Sequence, residues 1–572
     1  MVLSSYVELG LTPQQAADRL ADHFSAISQT VEPLDLEQFH PALRLALETG
    51  KSCPEKPVLT QHDVYMKFVK VTKPKSSVYG DVPRKIIKQF PHEYAEPASI
   101  IFNKMIQSAQ WPSQWVVEQT IVLGKSKLPE DEDQVRTISK TQWLSKVLEN
   151  ILGDFILPIV DPYIDPGQCG GLKNSSISHY LVKLLDFIHS TLDKRTPHCA
   201  VLSVEDLSKA YNRGSHKLVV EDLYDMHVPG WVLVLLCSYL KDRSMVLTYQ
   251  KAKSSQRTLP GGFGAGPFLG GLLFIIKFNG ACLRPPVPRT LTGNRAMQLK
   301  FIDDSSKVAS VHLKRSLIQD PEVRPRPLNY HERHQTSLKP EENVLQQELD
   351  RFHTWTLENK LSVNSRKCFV MQFSRSRNYD FPMEYKIGNS DLLEEKKSMT
   401  ILGIILQSDL KWDAQVAQMI SRASKTTWVL RRMKALGVDQ KTLVDFWKSE
   451  GRTHLEMATP VWSSSLSKAQ RQSLERSQRL AMAAIVGHWA PSLTGQLEEL
   501  GLERLLTRRN NICERFARNT ATKSRHGDIF TVASTGPLRQ GKVTLKYREP
   551  QARTETYRKS AVPYLTRLLN SN

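Results

Sequence analysis

Along the chain the hydrophobic positions change period several times, and each change predicts an element. Ala16, Leu20 and Phe24 recur at helical spacing behind Thr12-Pro13-Gln14-Gln15, which reads as a cap and first turn. From 96 to about 200 the helical period dominates, broken by a β-like run at 119–123 (QTIVL) and an acidic loop at 129–133 (PEDED). The apolar run 199–206 (CAVLSVED) predicts a buried strand, 215–224 and 229–241 predict helices, and 244–249 (SMVLTY) predicts another strand. A glycine-rich loop, 259–271, runs into a helical stretch at 269–279. Residues 297–311 (MQLKFIDDSSKVASV) read as two short strands joined by a tight acidic turn. Strand-like patterning returns at 361–374 and 399–406, 412–487 is mainly helical, and the last fifty-odd residues are basic with weak periodicity. The proline-bearing stretches 71–83 and 314–340 are expected to be exposed loops. No period of 20–50 residues repeats, which argues against solenoids and propellers.

At 572 residues the chain is too long for one core and predicts about three packed units. The longest apolar stretches, 231–240 and 267–276, fall short of the roughly 20 residues that cross a bilayer. The opening MVLSSYVELG lacks a basic region followed by an apolar one. The expectation is an intracellular protein with no membrane partner, nuclear or cytoplasmic. Seven scattered cysteines without CxxC or Cys/His zinc spacing fit free thiols in a reducing compartment. Against 58 acidic residues stand 78 Lys and Arg, a net charge of +20, which favours a polyanionic partner through counterion release.

Three carboxylates stand out by setting: Asp206 at the end of the apolar run, and Asp303 with Asp304 at the bend between QLKFI and KVASV. A carboxylate closing a buried strand is costly unless paired or metal-bound. Strands that deliver such groups to one place make a hard oxygen site suited to Mg²⁺ or Mn²⁺. Two such ions roughly 4 Å apart can serve phosphoryl transfer. On its own an Asp-Asp pair more often caps a turn, so the flanking apolar strands are what make this one informative.

The segment Asp206-Leu-Ser-Lys-Ala-Tyr211-Asn212 resembles the first palm motif of reverse transcriptases from non-long-terminal-repeat (LINE-like, jockey-like) retrotransposons, and Phe301-Ile302-Asp303-Asp304 resembles their aromatic-x-Asp-Asp motif. The blocks 111–127, 135–152 and 167–182 are similar to that family's finger sequences in the same succession. Downstream, LSVNSRKC (361–368) resembles the fourth motif, 402–412 the primer grip and 474–487 a thumb helix, so the resemblance spans about 60 to 490. It implies an α+β right-hand polymerase: a helical N-terminal extension and the start of the fingers (1–95), fingers (96–200), an antiparallel-sheet palm with an inserted loop (201–410, insertion 314–340), a helical thumb (411–500) and a basic C-terminal segment (501–572).

The resemblance also implies roles. Asp206, Asp303 and Asp304 would bind two Mg²⁺ or Mn²⁺ ions, and the primer 3′-hydroxyl would attack the α-phosphate of a dNTP on an RNA template with a DNA primer. Tyr211 matches a steric gate against the ribose 2′-hydroxyl. Arg136 and Lys125 match finger residues that grip the triphosphate, and Lys367 a lysine that could protonate the departing pyrophosphate. The loop 259–271 matches the family's Pro-Gln-Gly loop, but it reads Gly264-Ala265-Gly266, so the glutamine is missing. Arg422, Lys425, Arg431 and Arg432, with Trp428 and Trp447 among them, fit a thumb that follows duplex phosphates; the alternative is a solvated face with both tryptophans in the core. Gly50-Lys51-Ser52 and Gly124-Lys125-Ser126 lack the upstream glycine of a phosphate loop, which excludes that motif. The N-terminal endonuclease common in such elements is expected to be missing, as in a fragment or a host-resident derivative. The other readings are a catalytically silent nucleic-acid-binding relic and an RNA-dependent RNA polymerase, which Tyr211 would disfavour.

Overall fold

The computed structural model describes residues 3–70, 78, 81–126, 128–195, 198–281, 295–312, 343–375, 384–389, 392–487, 493–532, 538–540 and 543–571. The expected insertion at 314–340 and most of the expected loop at 71–83 lie outside these residues. The fold is mixed α+β, with helix predominating. Its main strands, in chain order, are β1 (Val117–Gly124), β2 (Val135–Lys140), β3 (His198–Glu205), β4 (Ser244–Tyr249), β5 (Ala252–Lys253), β6 (Arg257–Thr258), β7 (Ala296–Phe301), β8 (Asp304–His312), β9 (Phe369–Phe373) and β10 (Glu394–Glu395).

The chain divides into two compact units. One comprises 1–165, 206–282 and 352–364; the other comprises 166–205, 283–351 and 365–572. The first holds a mixed sheet in the order β2-β1-β4-β5, with β6 also paired to β4. Helix Pro13–Ser28 opens with the expected cap at Thr12, which closes as a capping box with Gln15. Its Ala17, Leu20 and Phe24 share a core with Val122, Val135, Met245, Leu247 and Tyr249.

The second unit is built on a sheet in the order β10-β9-β3-β8-β7. Strand β3 lies centrally, antiparallel to β8 and β9. Its two faces differ. Ala200 and Leu202 join Val308, Leu299, Met371 and Phe373 in an apolar core with helix Ile177–Leu192. On the other face, Ser203 pairs with Lys307 and Glu205 with Ser305, and Gln298 and Lys300 extend this buried polar layer on β7. The Glu205 and Lys307 side chains form an ion pair at 3.1 Å, and Ser203 Oγ donates to Glu205 at 2.5 Å. Fully buried charges need such partners.

Differences from the expected elements are local. In 361–374 only Phe369–Phe373 forms a strand; Ser365–Lys367 is a 3-10 turn and Val363 makes a single bridge to Leu207. The basic C-terminal stretch contains helix Ala561–Asn570, whose Val562 and Leu565 join the second unit's core. All six described cysteines are free. Among the described residues no helix is long and apolar enough to cross a membrane.

Candidate active site

In the second unit, β7 and β8 form a tight hairpin in which Phe301 pairs with Asp304, leaving Ile302 and Asp303 as the turn. Asp303 and Asp304 are exposed at its tip. Ile302 has φ +61°, a left-handed conformation that such turns ordinarily give to glycine and that costs a β-branched residue about 1–3 kcal/mol. Strain of this kind persists only where the surroundings hold it, and it concentrates at functional sites. The adjoining register sets Glu205 opposite Ser305. Asp206, by contrast, belongs to the first unit, where its carbonyl accepts from the Asn364 amide at 2.8 Å and Ser208 N donates to Ser362 O at 2.7 Å.

In the first unit the glycine-rich loop is tied down at several points. Gly262 N donates to Gly214 O and Phe263 N to Tyr211 O, both at 2.7 Å, and Ser139 N on β2 donates to Ala265 O at 2.8 Å. His216 Nε2 donates to Gly262 O at 2.8 Å, which fixes its tautomer. Burial depresses this imidazole to about 4, so it stays neutral at physiological pH. A Cβ on Gly270 would lie 2.1 Å from the Gly264 carbonyl, so that close approach needs glycine, whereas one on Gly264 would lie 2.8 Å from Glu118 Oε2 and press on that carboxylate. Tyr211, Gly264 and Ala265 line one recess with Thr137, Ser139 and Asn212. The Tyr211 ring stacks on Phe274 with centroids 4.6 Å apart.

Beneath this recess Glu118 and Arg243 form a buried ion pair at 2.8 Å. Glu118 also accepts from Ser139 Oγ at 2.8 Å. Arg136 is exposed on β2 opposite Leu123. Lys125 is exposed too, with Nζ donating to the Asp133 carbonyl at 2.8 Å. Lys367 sits exposed on its 3-10 turn in the second unit.

Helix Asp413–Ala435, also in the second unit, buries Val416, Met419, Ala423 and Leu430. Arg422, Lys425, Trp428 and Arg432 form an exposed stripe at spacings of three and four, with Arg431 exposed beside it. Trp428 is 59% exposed and the Arg432 guanidinium lies 5.3 Å from its ring centre, whereas Trp447 is fully buried. The expectation that both tryptophans sit either in the core or among the cations thus splits between the two.

Among the described residues no three His, Cys, Asp or Glu side chains gather as a group that could hold a metal ion. Sequence reasoning did not single out Glu118, Ser139, His216, Gln168 or the Glu205–Lys307 pair. For Glu118, Ser139, Glu205 and Lys307 the signal was a polar residue at an alternate position of a strand, whereas His216, on a helix, and Gln168, outside any strand, carried none.

Over most of its length the chain is similar in sequence to reverse transcriptases of retrotransposons of the non-long-terminal-repeat class. It is 22% identical over 439 residues to the RNA-directed DNA polymerase from mobile element jockey of Drosophila funebris, covering 75% of this chain and 44% of that protein. It is 21% identical over 370 residues to the probable RNA-directed DNA polymerase from transposon X-element of Drosophila melanogaster, covering 63% of this chain and 36% of that protein. The chain therefore spans less than half the length of these relatives. No family model matches it.

Proposed function

We propose that the chain is a retrotransposon RNA-directed DNA polymerase that adds dNTPs to a primer 3′-hydroxyl by phosphoryl transfer assisted by two divalent ions, with fingers, palm and thumb as the sequence suggests. The observation that carries this reading is the β7–β8 hairpin, which spends backbone strain at Ile302 to present Asp303 and Asp304, in a chain similar to two named RNA-directed DNA polymerases.

The carboxylates of Asp206, Asp303 and Asp304 suit Mg²⁺ or Mn²⁺ by their chemistry, being hard oxygen donors without sulfur or imidazole. Bound there, such ions would supply charge neutralisation at the phosphate and a more acidic primer hydroxyl. Arg136, with Lys125, would hold the triphosphate, a role for which a guanidinium suits bidentate contact. Tyr211, braced by Phe274, would exclude a ribose 2′-hydroxyl. Gly264, Ala265 and Gly266 would lie against the nucleotide, and Lys367 Nζ would give a proton to the departing pyrophosphate. The stripe Arg422, Lys425, Arg431 and Arg432 would contact template-primer phosphates.

The test is extension of a primed RNA template with dNTPs and Mg²⁺. Extension that Asp303→Ala abolishes supports the proposal; no extension by the unaltered chain across Mg²⁺ and Mn²⁺ concentrations overturns it. One observation favours a second reading: Ala265 leaves the loop without a glutamine amide, as suits a silent nucleic-acid-binding relic. That reading predicts salt-sensitive duplex binding with no product.

A further inference from the structure

The strained turn beside the aspartate doublet is held from outside its own hairpin, by the segment 167–170 of the same unit. Lys300 N on β7 donates to Gly167 O at 2.9 Å and Cys169 N donates to Lys300 O at 2.8 Å, so this segment forms a parallel bridge along the strand just before the turn. From that segment the Gln168 side chain, 1% exposed, reaches the turn. Its Oε1 accepts from Ile302 N at 3.0 Å and from Gly170 N at 3.0 Å, one oxygen satisfying two amides. The approach requires Gly170: a Cβ there would fall 2.5 Å from Ile302 N and 2.8 Å from Phe301 C, both backbone atoms that cannot swing aside. A left-handed Ile302 thus coincides with a buried acceptor aimed at its amide and a glycine that makes room for its backbone.

We propose that Gln168 is a positioning residue that, with Gly170, locks the Ile302 turn and so fixes the direction in which Asp303 and Asp304 project. This rests on the polymerase reading for its catalytic meaning, while the clamp itself is a property of the second unit. Gln168 touches no substrate in this proposal. Its effect is to keep an amide hydrogen-bonded that would otherwise favour relaxation of the turn toward negative φ.

The test compares the unaltered chain, Gln168→Met, Ile302→Gly and the double variant. Methionine keeps the length and packing of Gln168 without the acceptor. Gln168→Met is expected to lower the primer-extension kcat at least tenfold and raise the Mg²⁺ concentration for half-maximal rate several-fold, with the dNTP KM and duplex affinity within twofold. Because glycine adopts positive φ freely, the same substitution made in an Ile302→Gly background is expected to cost less than threefold. A Gln168→Met variant with kcat and Mg²⁺ dependence within twofold of the unaltered chain overturns the proposal, and so does a loss that persists undiminished in the Ile302→Gly background. Hydrogen–deuterium exchange over Phe301–Asp304 gives a readout independent of catalysis. The Ile302 amide is expected to be protected in the unaltered chain and to exchange at least tenfold faster in Gln168→Met; equal exchange in the two overturns the clamp. If the unaltered chain extends no primer, the polymerase reading fails while the exchange comparison still decides whether the clamp exists.

Discussion

Glu118→Ala is expected to destabilise the first unit severely, because it would strand a buried guanidinium. Arg243 is 2% exposed and its Glu118 partner, 2.8 Å away, is nearly as buried. The Tyr239 ring under the guanidinium, 4.8 Å from its centre, cannot replace a carboxylate, and the other acid facing Arg243, Glu149, is itself pushed up to about 7 by burial and so supplies only part of a counter-charge. Removing one member of such a pair costs about 3–5 kcal/mol, most of it the penalty of leaving the other charge uncompensated. In a unit of this size each kcal/mol shifts the thermal midpoint by about 2–4 °C, so the loss should exceed about 6 °C. Replacing both residues with methionine removes the charges together and should recover most of the loss. Urea titration followed by tryptophan fluorescence measures both variants against the unaltered chain. A Glu118→Ala cost below about 1 kcal/mol, or a double variant no more stable than Glu118→Ala, would refute the account of this pair. Since Glu118 also accepts from Ser139 Oγ and abuts Gly264, the stable double variant should bind dNTP more weakly than the unaltered chain.

Two pH effects of opposite sign should separate the units. Burial holds His179 near 4 and His526 near 3, with Lys183 opposing both protonations and Asp528 favouring that of His179. The folded state keeps both rings neutral while the unfolded chain protonates them below about 6.5, so stability is lost as pH falls from there toward 4, by about 1.4 kcal/mol per unit for each histidine. Thermal melts of His179→Gln between pH 7 and 4.5 should show a shallower decline, and an unchanged slope would count against it. Burial raises Glu149 to about 7, against the attraction of Arg243 and hydrogen bonds from Ser145 and Leu269 N. Its contribution is present below about 4.5 and is lost as pH rises toward 7, so Glu149→Gln should gain stability relative to the unaltered chain between pH 5 and 8. A midpoint difference that stays flat over that range would contradict this. On the stripe of helix Asp413–Ala435, Arg422→Ala and Lys425→Ala should each reduce the slope of log affinity against log salt for a duplex by about one, without altering sequence preference. Slopes unchanged in fluorescence anisotropy titrations would place that face away from phosphate.

Elements whose packing repeats their sequence period were legible, and elements set by long-range partners were not. The apolar run before Asp206 became β3, the MQLKFIDDSSKVASV stretch became the β7–β8 hairpin, and the Thr12 cap opened its helix, because in each case local chemistry and burial agree. Helix Ala561–Asn570 was hidden by Pro563 within a short basic stretch, although proline in a first turn breaks no helical hydrogen bond. Strand patterning over 361–374 overstated the strand, since Lys360 turns at φ +57° and only the segment from Phe369 pairs with β3.

The candidate site divides along the same line. Tyr211, Gly264 and Ala265 were each visible as motif members, and they do line one recess. What supports them was invisible, because Glu118, Ser139 and Arg243 meet only once β1, β2 and β4 pair, and the residues are up to 125 positions apart in sequence. A chain sequence shows which groups carry chemistry, since that depends on residue type. It conceals what aims them, since aim comes from hydrogen bonds closed by topology. Gln168 and Ile302, joined across 134 residues, are a case in point: neither is chemically reactive, yet together they decide the conformation of the turn that carries the aspartates.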